Sequence, residues 1–247
     1  MVTRDIYLSV VVPAYNEADR IESTLRRLAE YLSQQPYTYE IIVAIDGAKD
    51  ATASIAQKLT SDIQYMRVID RKENKGKGYT VREGMLAAEG KIRLFTDADN
   101  STDIKYFEDM RPLFDKGYEV VISSRNPADA PGASQEIPQA LFKRLLGMAG
   151  NIFIQVVAVR GIWDTQNGFK AFRNFAAEKI FSQTKIYRWG FDIEALALAR
   201  ALKYKIAIIP IHWYNDARSH VKFSAYFQVL WETVKVRWYI AGGAYKL

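Results

Sequence analysis

Along the first half of the chain, short apolar runs alternate with stretches whose apolar positions recur at helical spacing. Leu8-Ser9-Val10-Val11-Val12 is rich in β-branched residues and predicts a buried strand. Pro13 should stop it, because proline brings no N–H to a ladder. Ile21, Leu25, Leu28 and Leu32 then mark one face of a helix, for which Asn16 is the expected N-cap. Residues 39–45 read as a second strand and 66–69 as a third, separated by a helix with Ile55, Ala56 and Leu59 inward. The loop Asn74-Lys75-Gly76-Lys77-Gly78 opens a helix over 79–88. Ile92, Leu94 and Phe95 predict a fourth strand, followed by a helix over 104–114 and a fifth strand over 119–124. Strand and helix in alternation predict an α/β fold: a mostly parallel, Rossmann-like sheet with helices on both faces.

The pattern changes after Arg125. Residues 126–138 form a Pro-, Ala-, Gly- and Ser-rich stretch, expected as a mobile flap over a site. Beyond it, Leu141, Leu145, Met148, Ile152, Val156 and Val159 recur at helical spacing, beside Lys143 and Arg144. Such a stripe serves either as core or as a face lying in a membrane interface. A polar loop over 164–170 and a helix opened by residues 188–194 and running to Leu202 follow. Residues 206–213 read as a strand broken by Pro210. The final helix, 223–240, gathers Phe227, Leu230, Trp231, Val234 and Trp238 on one side. Lys222, Lys235 and Arg237 accompany them, an interfacial composition.

Composition narrows the chemistry. The 247 residues are 49% hydrophobic and 25% charged, which describes a globular protein. There is no cysteine, so thiolate sites and cysteine nucleophiles are excluded, and the histidine pair His212 and His220 is too few for a multi-histidine zinc site. The net charge of +6 favours an anionic partner. Its cations are dispersed and no nucleic-acid module is visible, so no nucleic-acid partner is expected. Neither a secretory signal nor a membrane-spanning run is recognisable. The expected location is cytoplasmic, with peripheral attachment at the cytoplasmic face of a membrane.

Candidate chemistry gathers at strand ends, where open α/β sheets bind ligands. Asp97 and Asp99 flank one residue just past the fourth strand, and paired hard oxygens suit Mg²⁺ or Mn²⁺ arriving with substrate phosphates. Asp46 sits in a turn after the second strand. Lys75 and Lys77 share a glycine-containing loop at a helix start, a phosphate cradle. It lacks the spacing of a Walker loop, and no dinucleotide fingerprint follows the first strand.

Six motifs in order, the last of them in two segments, resemble family 2 glycosyltransferases of the GT-A fold. They are Val11-Val12-Pro13-Ala14-Tyr15-Asn16-Glu17, Asp46-Gly47-Ala48-Lys49-Asp50-Ala51-Thr52, the Asn74–Gly78 loop, Asp97-Ala98-Asp99, Ser124-Arg125 and the pair of segments 164–170 and 188–194. The last pair looks most like the dolichyl-phosphate β-glucosyltransferase group; dolichyl-phosphate mannose synthases are the neighbouring group. Ala48 replaces the usual serine, and His220 stands where relatives tend to carry lysine. The resemblance implies a GT-A domain over 1–220, with a nucleotide-sugar half (1–125) and an acceptor half (126–220). Residues 221–247 would form an amphipathic C-terminal helix.

For function it implies inverting transfer of a hexose from a nucleotide sugar, UDP-glucose favoured, to dolichyl or polyprenyl phosphate. Pro13, Ala14, Tyr15, Glu17, Ala44 and Asp46 would frame the base and ribose, with Asp97 and Ala98 on the nucleotide side. Asp99, with Asp97, would hold Mg²⁺ or Mn²⁺. Lys77, Arg125, Gln166, Arg218 and Ser219 would contact the diphosphate or the acceptor. Asp164 and then Asp192 are the candidate bases, although either could be structural and Asp192 could cap its helix. The competing functions are a GDP-mannose-dependent synthase, a soluble family 2 transferase with a saccharide acceptor, a sugar nucleotidyltransferase, and a non-catalytic nucleotide-sugar-binding protein.

Overall fold

The computed structural model describes residues 5–136, 141–214 and 224–247. Seven strands make one sheet in the order β3-β2-β1-β4-β7-β5-β8: β1 (Leu8–Ala14), β2 (Tyr39–Asp46), β3 (Met66–Arg71), β4 (Ile92–Thr96), β5 (Val120–Ser124), β7 (Phe169–Arg173) and β8 (Ile206–Pro210). All pair in parallel except β7, which runs antiparallel between β4 and β5. A short parallel pair, β6 (Ser134–Glu136) and β9 (His212–Tyr214), stands beside it.

Strand alternation sorts the core into two layers. Val10 and Val12 of β1, with Ile41, Val43 and Ile45 of β2, pack against α1 (Ile21–Ser33), α2 (Thr52–Leu59) and α4 (Phe107–Asp115). Val11 and Ile42 point the other way, toward α3 (Lys77–Ala87), α5 (Leu141–Val157), α6 (Asn174–Phe181), α7 (Phe191–Ala201) and α8 (Ser224–Ala241). Phe95 stacks among Phe172, Phe181 and Phe191 in this second layer. The expected α/β sheet with helices on both faces is present.

Four local expectations are corrected. Pro13 does not end β1, which continues to Ala14. Leu8 N–H donates to Thr38 on the β2 side, so two-residue alternation turns position 13 toward β4, where pairing has already stopped at Val11. The missing N–H therefore costs no ladder bond. Asn16 does not cap α1; it adopts φ 55° and its side chain accepts from Lys49 N–H. The flap region contributes β6 to a sheet, and residues 137–140 lie outside the described residues. The polar loop over 164–170 ends inside β7, whose insertion no strand signal had announced.

The stripe that begins in α5 divides where its side chains are described: Met148, Ile152 and Val156 are exposed, Val156 by 81%, whereas Val159, just past the helix, is core, as is Ile154 beneath the exposed row. The side chains of Leu141, Lys143, Arg144 and Leu145 lie outside the described residues. On α8, Phe227, Trp231, Val234 and Trp238 form one exposed row, whereas Val229, Thr233 and Val236 face inward. Among the described residues, no helix is long and apolar enough to cross a membrane.

Candidate active site

The sheet brings the first two motifs side by side. Glu17 N–H donates to Thr52 Oγ1 (2.7 Å) and Ala18 N–H to Asp50 (3.1 Å), stitching the β1 and β2 loops. Tyr15 is exposed at this edge, and Pro13 and Ala14 are buried in β1. Ala44, expected to line the donor pocket, is fully buried within β2. It presents no surface to a ligand. Asp46 is also turned inward. Its carboxylate pairs with Arg71 and accepts from Lys75 N–H (2.8 Å) and Gly76 N–H (3.0 Å), so it shapes the lysine-bearing loop. Gly76 adopts φ +100°, and a side chain there would strike the Tyr187 carbonyl.

Beyond β4, Asp97 and Asp99 flank Ala98, whose carbonyl accepts from Thr24 of α1 (2.7 Å). Asp99 accepts from Ser101 N–H through one oxygen (2.9 Å). Asp97 faces Lys77 Nζ at 2.6 Å, and Gly168 lies so close that any Cβ would collide with its carboxylate. Burial works against the Lys77 ammonium, but Asp97, Asp192 and Asp99 outweigh it and raise its pKa. Among the described residues, no group of three or more acids and histidines gathers to hold a metal alone. Two carboxylates beside an expected diphosphate nevertheless fit Mg²⁺ or Mn²⁺, which take only one or two protein carboxylates when phosphate supplies the rest.

A small polar cavity of about 50 Å³ joins Asp97 and Asp99 to Arg125, Gln166 and Trp213. Arg125 closes a bidentate pair with Asp164, at 2.8 and 2.7 Å, and adds its backbone N–H at 2.8 Å. Its guanidinium also lies over the Trp213 ring, 5.2 Å from the centroid. Burial alone would raise the Asp164 pKa, yet Arg125 overrides it and holds the carboxyl below the usual range. A depressed carboxylate with both oxygens committed is a poor proton acceptor. The geometry makes Asp164 the anchor of Arg125.

Asp192 is buried in the first turn of α7 and makes no capping bond. It pairs instead with Lys170 at 2.6 Å. Burial raises its pKa, and Lys170 and Lys77 pull it back only in part. Arg218, Ser219 and His220 lie outside the described residues.

Four participants escaped the sequence reading. Arg71 partners Asp46 across neighbouring strands. Asp129, inside the supposed flap, accepts from Ser124 Oγ, Trp163 N–H and Asp164 N–H at 2.7, 2.7 and 2.8 Å, and so sets the Asp164 loop. Trp213 backs Arg125. Lys170 left a signal: a lysine enclosed by Phe169, Ala171 and Phe172 must find a buried partner.

A family model, glycosyl transferase family 2, matches residues 9–181. The chain is 36% identical to a dolichyl-phosphate β-glucosyltransferase from Dictyostelium discoideum, covering 98% of this chain and 77% of that protein. The human dolichyl-phosphate β-glucosyltransferase is 33% identical over 97% of this chain and 78% of its own. Glucosyl-3-phosphoglycerate synthase from Mycobacterium tuberculosis, solved with Mn²⁺, UDP and glucosyl-3-phosphoglycerate, superposes with a TM-score of 0.66 at 20% identity, over 96% of this chain and 80% of that one. That likeness carries the GT-A fold. With the sheet order, the acids at its strand ends and these matches together, the chain belongs to glycosyl transferase family 2 and is a glycosyltransferase.

Proposed function

We propose that the protein transfers glucose from UDP-glucose to dolichyl or a related polyprenyl phosphate, with inversion and with Mg²⁺ or Mn²⁺. The observation that carries this reading is the row of charges joining Lys77, Asp97 and Asp99 to Arg125 at one mouth of the sheet. Relatives named as dolichyl-phosphate β-glucosyltransferases and the UDP–Mn²⁺ complex of a structural neighbour support it. Residues 1–125 would serve the nucleotide sugar and 126–220 the acceptor.

In this scheme Tyr15, Glu17 and the Asp46 loop frame the nucleoside, and Lys77 faces the diphosphate. Asp99, with Asp97, would hold the metal ion, which when bound neutralises charge developing on the departing diphosphate. Arg125, fixed by Asp164, presents its remaining donors to the acceptor phosphate. A phosphate monoester is already largely ionised near neutral pH, its second pKa being about 6. It can attack the anomeric carbon without a base. Its oxygen forms the new bond while the bond to the diphosphate breaks and the electron pair leaves with UDP. Positioning and charge stabilisation carry the acceleration, leaving Asp164 and Asp192 to hold Arg125 and Lys170.

The exposed rows on α5 and α8 would rest on the membrane that holds the acceptor. Lys235 beside Trp231 and the exposed Arg237 lie at head-group level in this arrangement.

The test is transfer from a panel of labelled nucleotide sugars to polyprenyl phosphate, with and without chelator. Label from UDP-glucose entering the organic phase, and lost with chelator, supports donor, acceptor and metal together. Label from GDP-mannose would replace the donor. Transfer only to a soluble saccharide would remove the lipid. Asp99→Ala should abolish metal-dependent turnover in a folded protein; normal turnover would remove Asp99 from the mechanism.

A further inference from the structure

One segment beside the site is held by an unusual expenditure of buried charge. Residues 184–187, between α6 and α7, have no regular secondary structure, so their amides need acceptors from elsewhere. Glu194 of α7, fully buried, supplies them: its carboxylate accepts from Lys185 N–H at 2.7 Å and Ile186 N–H at 2.9 Å. The Tyr245 hydroxyl, arriving from the chain's C-terminal stretch, donates to the same carboxylate at 2.5 Å. From α8, the buried Glu232 accepts from Gly190 N–H at 2.7 Å. Two buried carboxylates thus grip one loop from two helices. Burying a carboxylate costs several kcal/mol unless it is well bonded, so the arrangement demands a reason.

The other side of that loop supplies it. Tyr187 C=O accepts from Tyr79 N–H in the first turn of α3 (3.1 Å). Gly76 and Gly78 lie directly under the Tyr187 and Ile186 carbonyls; a Cβ on Gly78 would come within 2.6 Å of Ile186 O. Between these glycines stands Lys77, which faces Asp97. The loop is a ceiling whose height sets where Lys77 can reach.

We propose that Glu194 is a positioning residue for the diphosphate of the nucleotide sugar, acting through the 185–190 loop on Gly76-Lys77-Gly78, with Tyr245 and Glu232 as its supports. This rests on the reading of Lys77 as a diphosphate contact. Raising or loosening the ceiling displaces Lys77 and weakens the donor, without touching the acceptor surface or the exposed rows of α5 and α8.

The experiment measures UDP binding by calorimetry in the full chain, for wild type, Glu194→Gln, Gly78→Ala and the double variant. Glu194→Gln leaves one carbonyl oxygen for three donors, and Gly78→Ala pushes the ceiling from below. Each should weaken UDP about tenfold, the equivalent of roughly one hydrogen bond. Because both act on one loop, the double variant should fall well short of the product of the singles. Donor KM should rise with kcat nearly kept, and flotation with anionic vesicles should be unchanged. A lowered thermal midpoint with wild-type UDP affinity would make Glu194 merely structural and overturn the proposal, as would full additivity in the double variant. If Glu194→Gln does not fold, Tyr245→Phe carries the test, with UDP weakened about two- to threefold; unchanged affinity overturns it. Wild-type protein that binds no UDP would defeat the donor reading itself, and this proposal with it.

Discussion

Asp164 illustrates how a side chain's surroundings choose its role. A motif places it near the chemistry, but three donors from Arg125 convert it into an anchor. Its pKa is lowered in the folded protein, against an unfolded value of about 3.9. The pair's contribution to stability is therefore complete above that value and is lost as pH falls through the lowered pKa. Asp164→Asn should cost about 3 kcal/mol at pH 7, because Arg125 is left without its partner. Denaturant titrations should show the gap between variant and wild type shrinking in strong acid, where the wild-type carboxyl is also neutral. A gap independent of pH would mean that the side chain's shape matters and its charge does not.

At the scale of elements, α8 has two unlike faces. Val229, Thr233 and Val236 pack inward, Glu232 holds the 185–190 loop, and Trp231 and Trp238 stand 60% and 70% exposed. Fully burying an aromatic side chain gains about 1.5–3 kcal/mol, which is what the proposed membrane contact would draw on. Trp231→Ser with Trp238→Ser should abolish flotation with anionic vesicles while UDP affinity stays at the wild-type value. Vesicle binding that survives both changes would remove α8 from the membrane surface. The same scale explains Pro13: a proline is tolerated in β1 because neighbouring strands differ in length, a property of the pair and not of the residue.

For the whole molecule, Phe95 links the site to the core. It lies two residues before Asp97 on β4 and packs among aromatic rings from β7, α6 and α7. Phe95→Ala should cost about 3–5 kcal/mol through lost burial and the cavity left behind. That should lower the thermal midpoint by roughly 10 °C for a chain of this size. A shift under a few degrees would show that the cluster collapses around the gap.

Much of this protein is decided locally. The apolar runs of β1, β2 and β4, the helical spacing of Ile21, Leu25, Leu28 and Leu32, and the acids after strand ends are visible in sequence because each follows from near-neighbour periodicity. The order of the motifs likewise identified the family. Tertiary structure alone decided what depends on distant partners. β7 enters antiparallel between β4 and β5 and satisfies hydrogen-bonding groups on both edges, a placement that no local pattern encodes. The pairings Asp46–Arg71, Arg125–Asp164 and Lys170–Asp192 span 25, 39 and 22 residues, and each reassigns a charge that the sequence left open. Whether an apolar stripe is core or surface was also undecidable from spacing. Periodicity says that Met148, Ile152 and Val156 share a face, and only packing says that this face looks outward.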